Sequence, residues 1–207
     1  MPIHFQKKYS ESLFVVVWEI KESLDYLLSI CKLTETESLE IENISPEHVK
    51  IQFLIKHLIS QIICKNADLQ NPIIGKDTHG KPFLENHKAH ISISHTPDFL
   101  AIGLDLERPI GIDLERPREQ LIRIMPRISR PEELHYINGD LKKATIQWSI
   151  KEALYKLYGK RKVDFKTNLL ISKKGQEYWG KIHMPDQESE HEIIIEKFKD
   201  TYLILAV

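Results

Sequence analysis

The feature that most constrains this chain is a long amphipathic helix near residue 150. Apolar residues recur there at helical spacing over about four turns, which predicts a helix from residue 142 to residue 158. Gly159 follows at the position of a left-handed helix cap. The apolar stripe, which is expected to face a core, consists of Ile146, Ile150, Ala153, Leu154 and Leu157.

The opposite face of this helix carries a different set of side chains. Trp148, Glu152 and Lys156 are spaced four residues apart, so they lie in one line along the helix. The simplest interpretation is a solvent-exposed face with an ordinary Glu–Lys pair, worth only about 0.3–0.5 kcal/mol. A large aromatic ring is unusual on such a face. The alternative is a functional surface on which a carboxylate holds a metal, an ammonium meets a phosphate and a ring walls a pocket.

Length and charge limit the classes of protein to which the chain can belong. Its 207 residues suffice for one large domain or two small ones, and a net charge of −1 gives no overall field that would recruit nucleic acid. No apolar run approaches the ~20 residues of a bilayer span, and the first residues lack the features of a signal peptide. Cys31 and Cys64 are too few for a disulfide framework or a zinc cluster. We therefore expect reduced thiols in a cytoplasmic protein, with no membrane partner.

Short strands and helices alternate along the rest of the chain. A second long helix is expected from about residue 45, with Ser45 as its cap and Pro46 at its first position, to about residue 64. Residues 118–133 are predicted as mixed helix and turn. The remaining predicted elements are a helix at 23–32 and strands at 13–18, 90–95, 99–104, 166–171, 180–183, 192–196 and 202–207.

A seven-residue pattern occurs twice, at residues 103–109 and, eight residues later, at residues 111–117. Each copy reads Gly, an apolar residue, Asp, Leu, Glu, Arg and Pro. Two apolar strands joined by the end of the first copy predict a hairpin, with the acids of that copy at or near its turn. In the second copy, the period of two along a strand puts Asp113 and Glu115 on one face.

Three carboxylates could meet where the second copy faces the helix, namely those of Asp113, Glu115 and Glu152. Their oxygens, completed by water and phosphate oxygens, suit Mg²⁺. On its own, the Asp-x-Glu pair is more typical of surface acids that are neutralised by Arg116 and Arg118. Its combination with the helix face favours a metal site. Whether the acids of the first copy also bind an ion stays open.

Three further side chains, Lys81, Ser94 and His95, are donors suited to phosphate or nucleotide contacts. Each by itself is better explained by ordinary loop polarity. The histidines of this region do not predict a metal centre, because the offset of five places His90 and His95 on opposite faces of an extended chain.

Taken in chain order, these residues form a series of motifs that resembles the 4′-phosphopantetheinyl transferases. The resemblance is to the surfactin-synthetase-activating type and extends from about residue 79 to residue 207. A weaker segment at residues 127–133 looks like the one that precedes the helix motif in this family. The four motifs are Gly80-Lys81-Pro82, Ile91-Ser92-Ile93-Ser94-His95-Thr96, Ile110-Gly111-Ile112-Asp113-Leu114-Glu115 and Trp148-Ser149-Ile150-Lys151-Glu152-Ala153-Leu154-Tyr155-Lys156.

The resemblance implies a fold and a reaction. The fold would be α+β, a pseudo-dimer of two similar lobes, each a small, mostly antiparallel sheet packed against a long helix. The lobes would comprise residues 1–109 and 110–207, in a monomer. The reaction would transfer the phosphopantetheine arm of coenzyme A to a serine of an acyl or peptidyl carrier protein, releasing adenosine 3′,5′-bisphosphate. The chain would thus be a holo-[acyl-carrier-protein] synthase.

The resemblance also implies a role for each candidate residue. Asp113, Glu115 and Glu152 would hold Mg²⁺ on the diphosphate of coenzyme A. Glu152 would also be the base for the incoming serine, directly or through a water, and Lys156 would stabilise or protonate the departing bisphosphate. The residues that fall where the family binds the adenine and phosphates of coenzyme A are Gly80, Lys81, Ser94, His95 and Lys156.

The amino-terminal half departs from the family pattern. The arginines that usually hold the 3′-phosphate are replaced in its long helix by Lys50, Lys56 and His57, and a lysine lacks the bidentate fork of an arginine. The carrier protein is expected to contact residues 118–128. The apolar residues of that segment would be either carrier contacts or core; they are Ile122, Ile124 and Met125.

Two other functions are consistent with the same residues. The chain could be a non-catalytic module that binds coenzyme A or a carrier protein, although such a binder has no need of Glu152 together with Lys156. It could also be an unrelated Mg²⁺-dependent phosphohydrolase. The sequence leaves open which carrier protein is served and whether acylated coenzyme A is accepted.

Overall fold

The computed structural model describes residues 3–185 and 187–207, which form six helices and eleven strands. The elements of the first half are β1 (Ile3–Lys8), β2 (Leu13–Glu19), α1 (Leu24–Ile30), α2 (Glu35–Glu42), α3 (Glu47–Asn66), β3 (Ile74–Lys76), β4 (Pro82–Leu84), β5 (His90–His95) and β6 (Phe99–Asp105). Those of the second half are β7 (Gly111–Glu115), α4 (Glu119–Ile128), α5 (Pro131–Ile137), α6 (Leu141–Tyr158), β8 (Leu169–Lys174), β9 (Glu177–Met184), β10 (Gln187–Phe198) and β11 (Thr201–Ala206).

The first sheet has the strand order β1-β2-β6-β5, and all its pairs are antiparallel. Helix α3 packs across β2 and β6. Its apolar side, which includes the fully buried Leu54, Ile55 and Ile59, covers one face of this sheet together with Trp18 of β2. The interior strands read as continuous apolar runs because both faces of this sheet are covered.

The second sheet has the order β7-β11-β10-β9-β8, again antiparallel, and α6 packs across β7 and β11. The predicted stripe of α6 is confirmed as core: Ile150, Ala153 and Leu154 are fully buried against this sheet. Gly159 caps the helix in the left-handed conformation, with φ of 72°, and its N–H donates to the carbonyl of Tyr155.

The two sheets share a third core, formed by β2 and β6 from one side and β7, β10 and β11 from the other. Gly103 lies directly against β7, where an added Cβ would be 2.9 Å from Ile112. The α+β class is therefore confirmed, with the order helix, sheet, sheet, helix. The strands of the first sheet precede residue 106 and those of the second follow residue 110. The internal symmetry of the two lobes stays a prediction.

The predicted hairpin between the two copies of the repeat is wrong. Strand β6 belongs to the first sheet, whereas β7 pairs with β11 in the second. The Asp105 carboxylate accepts the N–H groups of Glu107 (2.9 Å) and Arg108 (3.1 Å), and this turn leads the chain out of the first sheet. The alternation predicted along the strand of the second copy is confirmed, but it does not determine which strand lies alongside.

The start of α3 also differs from the prediction. Pro46 occupies the N-cap position and no side chain caps the helix, so Ser45 is not its cap. The strands and helices predicted at residues 13–18, 23–32, 90–95 and 99–104 are confirmed with small shifts of their ends. Within residues 3–185 and 187–207, no helix has the length and apolar character that a membrane crossing requires.

Candidate active site

The predicted functional residues of the second sheet and of α6 meet in one pocket of about 600 Å³. It lies between the end of β5, the exit of β7 and the outer face of α6. Gly111 makes this possible, because a Cβ there would be 1.9 Å from the carbonyl oxygen of Ala153, so β7 runs against the helix backbone. The lining residues that carry the chemistry are Ser94, His95, Asp113, Glu115, Trp148, Glu152 and Lys156.

Asp113 is the best-held side chain of the pocket and is 6% exposed. Its Oδ1 accepts hydrogen bonds from Lys156 Nζ (2.8 Å) and Ser94 Oγ (3.1 Å), and its Oδ2 accepts one from Ser149 Oγ (2.7 Å). Ser94 in turn accepts the N–H of Leu114 (2.9 Å) and a bond from Lys156 (2.8 Å). Residues from β5, β7 and α6 are thus joined at one carboxylate.

Glu115 follows on the same face of β7 and points toward the rim. Its carboxylate accepts the backbone N–H of Arg116 (3.0 Å) and the guanidinium of Arg118 (2.9 Å). The Arg116 guanidinium points away from Glu115 and contacts Asp98 and Asp200, the latter at 2.6 Å. Of the two arginines expected to neutralise the acid pair, only Arg118 does so with its side chain.

Glu152 completes the set of carboxylates from the helix side. The pKa of Glu152 is raised to about 7, chiefly by burial and then by the negative charges of Asp113 and Glu115, while Lys156 partly opposes them. The three acids are therefore close enough to influence one another. Trp148, one turn earlier on the same face, forms the adjoining wall.

The donor set fits a hard divalent cation, because it consists of carboxylate oxygens that repel one another when all are charged. The arrangement is held by protein cations: Asp113 by Lys156 at 2.8 Å, Glu115 by Arg118 at 2.9 Å. Over the described ranges, no group of three or more histidine, cysteine, aspartate or glutamate side chains is arranged as a metal centre. A bound cation would have to compete for these carboxylates with the Lys156 ammonium and the Arg118 guanidinium.

His95 lies at the exit of β5, beside the Asp113–Lys156 pair. Partial burial, and then the charge of Lys156, lower the pKa of His95, while Asp113 partly opposes this. Its imidazole is therefore neutral at neutral pH and can donate one hydrogen bond to a bound group.

Gly80 and Lys81 are not brought into this pocket. Lys81 Nζ donates to the carbonyl of Leu157 at 2.6 Å, at the carboxyl-terminal end of α6, and its aliphatic chain lies against Gly159. Burial lowers the pKa of Lys81. Gly80 has a φ of 90° in the turn between β3 and β4, which a glycine adopts without strain. Their part in coenzyme A binding stays a prediction.

The cations of α3 do not line the pocket either. His57 Nδ1 is 2.8 Å from a carboxylate oxygen of Glu37 in α2, and Lys56 lies over the ring of Phe53, with Nζ 4.7 Å from its centroid. Lys50 is half-buried on the same helix. Their contact with a 3′-phosphate stays a prediction.

Helix α4 resolves one choice that the sequence left open. Met125 is 1% exposed and packs with Ile137 and Ala144, and Ile122 joins the same cluster. Met125 is therefore core and does not provide a docking surface, whereas Ile122 is half-buried against the cluster. Ile124 is half-buried and is not part of that cluster's core.

The sequence interpretation did not single out three buried polar residues, Ser149, Lys151 and Glu133. Ser149 bonds Asp113 directly, and Lys151 and Glu133 form a buried ion pair at 3.0 Å. A signal for them existed, since Ser149 and Lys151 lie inside the helix motif and Glu133 ends the weaker segment at residues 127–133. Spacing alone does not separate a supporting lysine from a reacting one.

One comparison with known proteins finds a match for part of this chain. Residues 109–204 match the family model of the 4′-phosphopantetheinyl transferase superfamily. No curated protein matches the chain at a significant level. The matched segment contains Asp113, Glu115, Glu152 and Lys156. The part of the chain that builds most of this pocket is therefore similar to the 4′-phosphopantetheinyl transferase superfamily.

Proposed function

We propose that this protein transfers the 4′-phosphopantetheine group of coenzyme A to a serine of an acyl or peptidyl carrier protein. The superfamily match of residues 109–204 implies this class of transfer. One observation carries the proposal for this chain: a single pocket, lined mostly by the matched segment, joins two acids of β7 to Glu152 and Lys156 of α6. A mere binding module would not need that combination.

Glu152 is suited to act as the base. A serine hydroxyl is a weak nucleophile at neutral pH and needs a proton acceptor within hydrogen-bond reach. A carboxylate whose pKa is raised to about 7 accepts that proton more readily than an ordinary glutamate. The serine oxygen forms the new bond to phosphorus as the bridging P–O bond of the diphosphate breaks. The serine proton passes to Glu152, directly or through a water.

Lys156 is suited to receive the departing bisphosphate. Its ammonium lies one turn beyond Glu152 and is held at 2.8 Å from both Asp113 Oδ1 and Ser94 Oγ. Positive charge placed before the reaction costs no reorganisation when the leaving oxygen becomes negative. The ammonium can stabilise that oxygen or give it a proton.

Asp113, Glu115 and Glu152 are the residues that would hold Mg²⁺. When bound, the ion would screen the negative oxygens of the diphosphate, which otherwise repel a nucleophile. The hardness of the three carboxylates favours Mg²⁺. Binding would draw on the same Asp113 oxygens that Ser149 and Ser94 hold in place.

The remaining parts of the proposal concern the rest of the substrate. Ser94 and His95 would contact coenzyme A phosphates at the pocket, with Gly80 and Lys81 further along, beyond the end of α6. The 3′-phosphate would lie toward the cations of α3, which are Lys50, Lys56 and His57. The carrier protein would approach near residues 118–128. The surfactin-synthetase-activating type, a cytoplasmic location and a monomeric pseudo-dimer belong to the same proposal.

The test is incubation of an apo carrier protein with coenzyme A and Mg²⁺, read by intact mass. We expect a gain of one phosphopantetheine group on at least one of several carriers. Asp113→Ala and Glu152→Ala should each remove most of this activity, whereas Glu177→Ala, an exposed acid of β9, should leave it unchanged. Full activity in both pocket variants would show that the site is wrong. Coenzyme A binding without mass gain would favour a binding module, and phosphate release from small phosphoesters would favour a hydrolase.

A further inference from the structure

Lys151 precedes Glu152 in the helix but points into the protein. Its side chain is fully buried, and its ammonium has three partners. It lies 3.0 Å from a carboxylate oxygen of Glu133, 2.8 Å from the carbonyl oxygen of Phe165 and 2.5 Å from that of Leu169. A buried ammonium is tolerated only when its donors are all satisfied, and here the acceptors come from two other segments.

Glu133 extends the same network to the start of α5 and to β8. It is 3% exposed, and its carboxylate accepts the N–H of Arg130 at 2.9 Å and that of Ile171 at 3.1 Å. Strand β8 is an edge strand, so the Ile171 N–H would otherwise lack a partner on that side. The ion pair thereby joins α5, α6 and the segment from residue 165 to residue 171.

The segment held in this way carries the Phe165 ring to the active-site face of α6. That ring lies 6.0 Å from the ring of Trp148 and 5.5 Å from that of Tyr155, centroid to centroid. Trp148 lines the pocket beside Glu152. Lys151 bonds the carbonyl of Phe165 itself, so the ammonium holds the backbone at the residue that carries this ring.

We propose that Lys151, with Glu133, is a positioning residue of the active site. It does not touch substrate. It anchors residues 165–171 to α6, and through the Phe165 ring it holds Trp148 and the Glu152 side of the pocket in place. The anchoring can be tested without any activity, and only its catalytic consequence rests on the proposed transferase function.

The anchoring is tested by hydrogen exchange of Lys151→Met, with Lys142→Met, an exposed lysine of the same helix, as the matched control. In Lys151→Met, we expect the amides of residues 165–171, above all that of Ile171, to exchange about tenfold faster or more. The rest of α6 and the control should be unchanged. Unaltered protection of residues 165–171 would overturn the proposal. If Lys151→Met does not fold, Glu133→Gln serves as the second variant, because it keeps an acceptor for the Ile171 N–H but loses the charge. We expect it to reduce the protection of residues 165–171 as well, but to a smaller degree.

The catalytic consequence is tested by carrier loading with the same variants. We expect kcat of Lys151→Met to fall about tenfold or more. The KM for coenzyme A should change less than about threefold, because Ser94 and Lys156 keep their contacts. In a Phe165→Leu background, the effect of Lys151→Met on kcat should shrink, since both act through the same ring. If the effects of Lys151→Met and Phe165→Leu on kcat are fully additive, then Lys151 does not act through the Phe165 ring. If the unaltered protein loads no carrier, the transferase function fails, while the exchange result stands by itself.

Discussion

The two copies of the repeat have nearly the same residues and different roles. In the first copy, Asp105 is buried and its carboxylate accepts two backbone N–H groups of its own turn. In the second, Asp113 accepts bonds from serines of β5 and α6 and from Lys156. One aspartate stabilises the route of the chain, and the other belongs to the pocket. Because the two copies have nearly the same sequence, the different roles of the two aspartates come from the residues that surround each copy.

The glycines that open the copies explain why the surroundings differ. An added Cβ at Gly103 would meet side-chain atoms of Ile112 and Ile110, at 2.9 and 3.0 Å. At Gly111 it would meet backbone atoms of α6, 1.9 Å from the Ala153 oxygen and 2.6 Å from the Leu157 nitrogen. The first copy therefore packs against another strand, whereas the second packs against the helix that carries Glu152 and Lys156.

The largest difference is expected between the catalytic activities of variants at the two aspartates. Asp113→Asn should lower kcat for carrier loading by about 10²-fold or more, because the carboxylate that holds Lys156 and would bind the cation loses its charge. Asp105→Asn should keep activity within a few-fold, since its side chain faces its own turn. Equal losses in the two variants would mean that the first copy also serves the site.

The next largest difference is expected in the free energy of unfolding of variants at the two glycines. Gly111→Ala forces a methyl group into helix backbone, which cannot move aside, and we expect a cost near the upper end of overpacking, about 3 kcal/mol. Gly103→Ala displaces only the ends of isoleucine side chains, for about 1 kcal/mol. Urea unfolding of both variants measures the difference, and a reversed order would contradict the packing described for β7 and α6.

Asp105→Ala should cost about 2 kcal/mol of stability, because two backbone donors lose a charged acceptor. Asp105→Asn should recover part of this, since its amide oxygen can still accept one of the bonds. Thermal unfolding at neutral pH gives the comparison. If Asp105→Ala and Asp105→Asn both have the melting temperature of the unaltered protein, then the turn does not depend on the Asp105 side chain.

The smallest effect is expected from the arginines of the two copies. Arg116 bridges Asp98, in the turn between β5 and β6, and Asp200, in the turn between β10 and β11, and it lowers the pKa of Asp200. Because the aspartate pKa is lower in the folded state, the pair stabilises the fold fully when the pH is above the pKa of an unfolded aspartate, about 3.9. This contribution is lost as the pH falls through the lower pKa of the folded state.

Arg116→Ala should therefore reduce the melting temperature slightly at neutral pH and not at all in strong acid. The exposed Arg108 provides the control, because Arg108→Ala should have no effect at either pH. High salt should reduce the Arg116 effect at neutral pH, as it screens exposed pairs. A pH-independent loss in Arg116→Ala would indicate a packing role for the aliphatic part of the side chain.

Much of the local structure could be predicted from the sequence, because it depends on periodicity. The stripe of α6, its cap at Gly159, the strand β5 and the shared face of Asp113 and Glu115 follow from periods of 3.6 and 2. The pocket could be predicted in part, since its acids and Lys156 were identified. The similarity of residues 109–204 to the 4′-phosphopantetheinyl transferase superfamily was likewise anticipated from motifs.

Other parts depended on contacts between distant residues. Lys151 and Glu152 are neighbours in the sequence, yet about 100° apart around the helix, so one enters the core and the other faces the pocket. The bond from Lys81 to Leu157 joins a loop of the first half to the end of α6. A spacing rule contains no information about such partners.

The sequence by itself determined which segments form helices and strands and which side chains share a face, because these properties arise from the geometry of one element. Only the tertiary structure decided that β7 leaves β6 to pair with β11, and that Gly111 brings it against α6. It likewise decided that Lys151 is an anchor rather than a reacting group. Those outcomes depend on which surfaces exclude water together, and that is settled between elements far apart in the chain.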